Sequence, residues 1–163
     1  MLKPLMYIKG FLVDYSNCLL YNIIVVDQLE DSMFYHLSTK KNLKYLTPRI
    51  PECAVSLYED VATKRVCFSD SIEGCLSAIQ QGPAKYYVYI VAEDPDNFDI
   101  HYPTVDEVRD AKFTHEVWIL TKVKVKCVGV ITCDNWDWKK QHNSGRGRIT
   151  YFHYPYHWIE QYD

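Results

Sequence analysis

Apolar positions in this chain fall in short runs, most of them of strand length, separated by polar breaks rich in Asp, Asn, Ser and Pro. Tyr86 to Ala92 (YYVYIVA) reads as a strand, as do Val117 to Leu120 and Val123 to Thr132, with a short turn between the last two. Met33 to Leu37 and Arg65 to Phe68 are shorter runs of the same kind. One stretch has helical spacing. Ile72, Cys75, Leu76 and Ile79 recur at intervals of three and four, Ser69-Asp70-Ser71 supplies N-cap chemistry, and Gly82-Pro83 supplies a stop, which predicts a helix from Ser71 to about Gln80. Val105 to Ala111 has the character of a helical turn. Ser38 to Lys44 reads as a polar turn, and Pro48 and Pro51 make 46–51 an extended connector that runs into a loop ending near Thr63. Trp136 to Arg148 is polar, with Asn143-Ser144-Gly145 as its turn, and the aromatic run Ile149 to Trp158 reads as strand.

Many short strands in mixed order with few helices predict an α+β domain with an antiparallel core, not a doubly wound parallel sheet. Residues 33–163 are expected to form that domain. Residues 1–32 are expected to be an N-terminal extension or an added strand, with Tyr21 to Val26 its best strand and Met33 a candidate natural start. The apolar run Phe11 to Val26 is interrupted by Asp14, Ser16, Asn17 and Asn22, too polar for a spanning helix, and no A-x-A cleavage pattern follows it.

Composition strengthens the β reading. Tyr occurs 14 times in 163 residues and aromatics make up 15%, and Tyr favours pleated, half-buried surfaces. The hydrophobic share of 48% is ample for a core. A net charge of −3 and a pI near 6.1 argue against bulk nucleic-acid binding. Lys122, Lys124 and Lys126 alternate as one solvated strand face would; Arg146 and Arg148 form a short local pair. The six cysteines (18, 53, 67, 75, 127 and 133) include no C-x-x-C pair, and several sit in apolar runs, so they read as small buried hydrophobes in a reducing cytoplasm. Cys133 and His142 find no second pair to complete a zinc site, so no metal is expected. A Rossmann glycine fingerprint and a P-loop are both missing.

Three segments carry candidate chemistry: Phe34-Tyr35-His36-Leu37-Ser38, Arg65-Val66-Cys67-Phe68-Ser69-Asp70-Ser71, and His115-Glu116-Val117-Trp118-Ile119-Leu120. Each has a plainer explanation. His36 fits a surface or packed strand residue, Ser69 and Ser71 fit helix capping, Glu116 fits a strand-edge charge, and Arg65 fits an ordinary surface charge or a partner to Asp60 or Glu59. In their order, however, they resemble the ADP-ribosyltransferase superfamily, and over about 34–131 they resemble a group of small phage and bacterial proteins with the pattern YHLS…LTPRIP…RVCFSDSIEGCLSAI…EVWIL. That resemblance implies a split β-sheet cleft that binds NAD as substrate. His36, with Ser38 beside it, matches the motif on the first core strand. Phe68, Ser69 and Ser71 match the second motif, and Glu116 the catalytic carboxylate. Phe68 stands where histidine-type members have Tyr, and residue 114 is Thr, so a paired Glu-x-Glu is lacking and arginine-directed transfer is not implied.

The chemistry implied is cleavage of NAD through a ribosyl oxocarbenium ion. Glu116 would stabilise the developing cation and, in an enzyme of this kind, face His36 across the split sheet; His36 would hold the adenosine-side ribose, Ser69 would brace the site, Phe68 or Tyr35 would flank the nicotinamide, and Arg65 or Arg49 would meet the pyrophosphate. The loop from Pro51 to Thr63 is placed to shape acceptor choice. A phage-type protein of this kind would modify a host or defence component. The competing expectation is a catalytically inactive domain of the same fold that occludes a protein partner, its aromatic C-terminus (Tyr151 to Trp158) serving as the interface. A third is a related NAD- or RNA-phosphate-processing transferase of the same architecture, which demands a basic pocket.

Overall fold

A computed structural model describes residues 6–8, 11–13, 33–94, 97–144 and 147–162. The chain divides into two compact units, Met1–Ser32 and Met33–Asp163. In the first, β1 (Met6–Ile8) and β2 (Phe11–Val13) pair antiparallel. The strand expected over Tyr21 to Val26 lies outside the described residues.

The second unit is α+β, and its named strand pairs are antiparallel. Its strands are β3 (Tyr35–Ser38), β4 (Tyr45–Leu46), β5 (Val66–Ser69), β6 (Ala84–Val91), β7 (Ile100–His101), β8 (Glu116–Ile119), β9 (Val123–Cys133), β10 (Trp138–Ser144), β11 (Gly147–His153) and β12 (Tyr156–Gln161). Three short helices join them: α1 (Ala54–Leu57), α2 (Ile72–Ile79) and α3 (Ala111–Thr114). The main sheet runs β12-β9-β6-β3-β5-β8-β7, with β4 pairing the start of β9, while β10 and β11 form a separate two-stranded sheet. Among the described residues, no helix is long and apolar enough to cross a membrane.

Helix α2 forms where its spacing predicts. Ser71 is the N-cap, its Oγ accepting from the Gly74 amide at 3.2 Å, and Gln80 closes the helix in the left-handed region. Its apolar face (Ile72, Cys75, Leu76) packs with Leu37, Tyr86, Val88 and Ile131 on one face of the sheet. On the other face Val66, Phe68, Tyr89, Val117, Ile119, Val123 and Val125 form a second core, closed by Phe34, Leu43 and Leu46. Tyr89 is wholly buried there without cost, because its hydroxyl donates to the Lys40 carbonyl at 2.8 Å.

Three stretches depart from the pattern. The helical turn expected over Val105 to Ala111 is irregular, and the helix proper is α3, shifted toward the C-terminus. The polar stretch from Trp136 is an extended strand, because the β10–β11 ribbon lies apart from the main sheet and does not require an alternating apolar face. The Ile149 to Trp158 run is likewise two strands, broken at Tyr154-Pro155. A bulge in β9 lies beside Gly129, where an added Cβ would sit 2.3 Å from the Glu160 carbonyl oxygen of β12, so the two strands pass too close there for any side chain.

The joint between β3 and β5 is the weakest in the sheet. These strands pair only at Tyr35↔Ser69, whereas β3 and β6 share four pairs and β5 and β8 share four.

Candidate functional site around Glu116

Glu116 opens β8, and three contacts set its position. His115 before it is left-handed (φ 51°) and ends α3. Its Nδ1 lies 2.8 Å from Asp70 Oδ2. Ser69 Oγ donates to the Thr114 carbonyl at 2.7 Å and also accepts from the Ser71 amide at 3.3 Å. Gly74 permits this closure: a Cβ there would stand 2.2 Å from Ser69 Oγ and 2.3 Å from the Thr114 oxygen. The end of β5, the start of α2 and the approach to Glu116 are thus fastened together.

Register decides which side chains share a face, since paired residues of adjacent strands project the same way and neighbours in sequence project oppositely. Tyr35 pairs with Ser69, and Ser69 pairs with Glu116. These three form one row across β3, β5 and β8. Cys67 and Trp118 occupy the next row on the same face of β5 and β8.

Arg65 extends this face. It is 2% exposed, and its guanidinium lies 4.1 Å from the centre of the Trp118 ring. Nη1 donates to the carbonyls of Asp60 (2.8 Å) and Thr63 (3.1 Å), and Nη2 to Glu59 Oε2 (3.4 Å). Its backbone pairs with that of Arg49. The Trp118 indole donates to Glu116 Oε1 at 2.6 Å, and the Cys67 thiol also bonds the Glu116 carboxyl.

Glu59, Asp110 and Glu116 all interact here, and each is pushed above the ordinary carboxylate range, chiefly by burial. Glu59 rises to about 7, with Glu116 and Asp110 adding repulsion that Arg65 only partly offsets. A Glu near 7 is poised to take or give a proton at neutral pH. Burial and the Glu116 charge likewise hold the Cys67 thiol well above its usual range, so it is protonated and unreactive.

His36 lies on the opposite face. It neighbours Tyr35 in sequence and pairs with Tyr89, whose side chain belongs to the second core. Its ring meets Phe68 at 5.6 Å, and Nδ1 lies 2.9 Å from the Cys67 carbonyl oxygen. A carbonyl accepts, so Nδ1 carries the proton. Burial holds the imidazole below its ordinary pKa, hence neutral, and Nε2 keeps an acceptor lone pair. The ring bonds across the joint where the β3–β5 ladder has stopped.

Several expected roles are therefore corrected. His36 does not face Glu116. Arg65 cannot meet a pyrophosphate, because its guanidinium is in the interior and committed to Glu59, two carbonyls and Trp118. Phe68 is 2% exposed and belongs to the apolar core, so it cannot flank a ligand; Tyr35 has the right face instead. Ser71 is occupied as the N-cap, and Ser38 accepts from the Lys40 amide in an exposed turn. Arg49 pairs with Glu52 at the surface, 3.6 Å away. Ser69 does brace the approach to Glu116. Sequence reasoning did not anticipate Asp110 or Trp118 as members of this site, nor Glu59 as more than a partner for Arg65. Nothing in the sequence marked them, because Arg65 reads equally well as a surface charge until the fold buries it. Among the described residues, no group of three or more His, Cys, Asp or Glu is placed to hold a metal ion.

Comparison with protein-family models, with curated proteins and with solved structures returns no match for this chain.

Proposed function

We propose that this protein is an NAD-dependent ADP-ribosyltransferase-like enzyme whose reacting carboxylate is Glu116. One observation carries the reading: Tyr35, Ser69 and Glu116 stand in a single row across three adjacent strands. Aromatic, hydroxyl and carboxylate in that order suit a nicotinamide ring, its braced neighbourhood and the ribose beyond it. The β3–β5 joint beside this row is the loosest in the sheet.

In the proposed reaction the bond between ribose C1′ and the nicotinamide nitrogen breaks, and nicotinamide leaves with the electron pair. The ribosyl cation left behind is stabilised by the Glu116 carboxylate, an interaction that strengthens as charge develops. An acceptor nucleophile then bonds to C1′, and its proton passes to a nearby base. Glu59, poised near neutrality in the same cluster, suits that step. His36 serves by holding β3 to β5 from behind.

The separation of His36 from Glu116 favours a second reading, an inactive domain that acts by occluding a protein partner. Labelled NAD incubated with the protein and cell lysate, beside a Glu116→Gln variant, separates them. The transferase reading expects nicotinamide release or label transfer that falls at least about 100-fold in the variant. Turnover equal in both proteins, or none with no NAD binding, would leave the occluding domain as the better account. Gln can still accept from the Trp118 indole, so the variant should keep its fold.

A further inference from the structure

The β10–β11 hairpin departs from the rest of the chain in charge. Residues 136–153 hold four basic side chains (Lys139, Lys140, Arg146 and Arg148) and one acid (Asp137), a local +3 in a chain of net −3. The lone acid is engaged: Asp137 Oδ1 lies 2.7 Å from His153 Nδ1.

Register sorts this ribbon into two faces. Trp138, Lys140 and His142 pair with His153, Tyr151 and Ile149 on one face. That face partly meets the body, where Ile149 is buried and His142 stacks on Phe113 at 4.0 Å. Lys139, Gln141 and Asn143 pair with Phe152, Thr150 and Arg148 on the other. There Lys139, Gln141, Asn143 and Arg148 are all exposed. At its base Trp136 is 44% exposed, meets Phe152 edge-on at 5.6 Å, and has Lys139 Nζ 5.4 Å from its ring centre. Trp138 is 46% exposed and lies flat on His153, 4.8 Å away and tilted by 3°.

We propose that this hairpin is a binding surface for single-stranded nucleic acid. The exposed indoles, Trp136 beside Lys139 on one face and Trp138 beside Lys140 on the other, stack unpaired bases, the exposed cations next to them meet phosphates, and side-chain amides reach base edges. A duplex would hide its bases from the indoles, and an acidic peptide would use the cations but not the aromatic platforms. The surface is close in the chain to Glu116: Arg109 Nη2 donates to the Arg148 carbonyl at 3.1 Å, and Phe113, under His142, is three residues before Glu116. The proposal does not require the transferase reading, and its test uses no NAD.

The test is fluorescence anisotropy of labelled oligouridine and oligothymidine with the full chain, between about 50 and 200 mM salt. A duplex of mixed sequence and a polyglutamate peptide serve as competitors. The expected result is binding to a single strand, with quenching of tryptophan fluorescence and a salt slope that drops by about 0.7 in Lys139→Ala. Trp136→Ala should weaken binding at least about fivefold. Thermal melts establish that each variant is folded, and Lys139→Ala, an exposed change, keeps the test decisive if Trp136→Ala is not. Preference between uridine and thymidine strands tells RNA from DNA. No binding to either strand, equal competition by duplex or polyglutamate, or affinity indifferent to both substitutions would overturn the proposal.

Discussion

On one face of the β5–β8 pair lie Val66, Phe68, Val117 and Ile119; on the other lie Arg65, Cys67, Ser69, Glu116 and Trp118. Both faces are largely withdrawn from solvent. The first is what a fold needs: apolar area taken from water, with no polar atom left to satisfy. The second holds a guanidinium against the Glu59 carboxyl, with the Glu116 carboxyl in the same cluster, where apolar residues of the same volume would serve stability as well or better. Among the described residues, Arg65 Nε is buried with no hydrogen-bond partner. A face that gives up stability in this way is where function is to be sought.

The comparison is broken most severely at Arg65. Arg65→Met should cost about 3–5 kcal/mol, because it strands Glu59 and Glu116 without their cation. Adding Glu59→Gln and Glu116→Gln should recover most of that loss, since no buried charge then lacks a partner. Urea denaturation of the single and triple variants measures this. Phe68→Ala, at about 3–5 kcal/mol, offers no such rescue, because its loss is cavity and transfer energy. A triple variant as unstable as Arg65→Met would show that the polar face is itself a source of stability.

A smaller effect is expected at Gly74. Gly74→Ala drives a Cβ into Ser69 Oγ and the Thr114 carbonyl. Overpacking against backbone costs about 1–3 kcal/mol, and the strain falls on the approach to Glu116. The expected outcome is a lower Tm together with a loss of NAD turnover larger than the fraction unfolded explains. Equal losses of the two would detach Gly74 from the site.

Local chemistry was legible in the sequence wherever it repeated over a few residues. Helix α2, the Ser71 cap, and strands β6 and β9 follow from local pattern alone. The polar face was not legible as a unit, because Glu59, Arg65, Asp110 and Glu116 come from four separate segments that only the sheet unites. The pairing of His36 with Glu116 failed for a simpler reason. A strand alternates, so membership of adjacent strands does not place two side chains on one face, and only register does. The β10–β11 ribbon reads only as a polar stretch with a turn up to Arg148, because Lys139, Gln141, Asn143 and Arg148 on its outward face are polar.

A pH dependence of similar size is expected, and its sign separates the two faces again. Glu59 titrates near 7 in the folded protein against about 4.5 when exposed. The folded state therefore holds its proton more tightly, so this contribution to stability is complete below about pH 4.5 and is lost as pH rises through 7. Its size is on the order of 1–3 kcal/mol. Glu116 and Asp110, raised by burial, act in the same direction. His36, behind the joint, acts oppositely: burial lowers its pKa, so its contribution is present above about 6.5 and lost as pH falls. The two faces compete between pH 5 and 7 in the wild-type protein, and a single stability curve there says little. The difference between wild type and Glu59→Gln isolates the polar face. Stability measured by urea denaturation should fall less from pH 5 to pH 7 in Glu59→Gln than in wild type. Parallel curves would mean that Glu59 titrates as an ordinary surface acid, and would remove it as the proton acceptor beside Glu116.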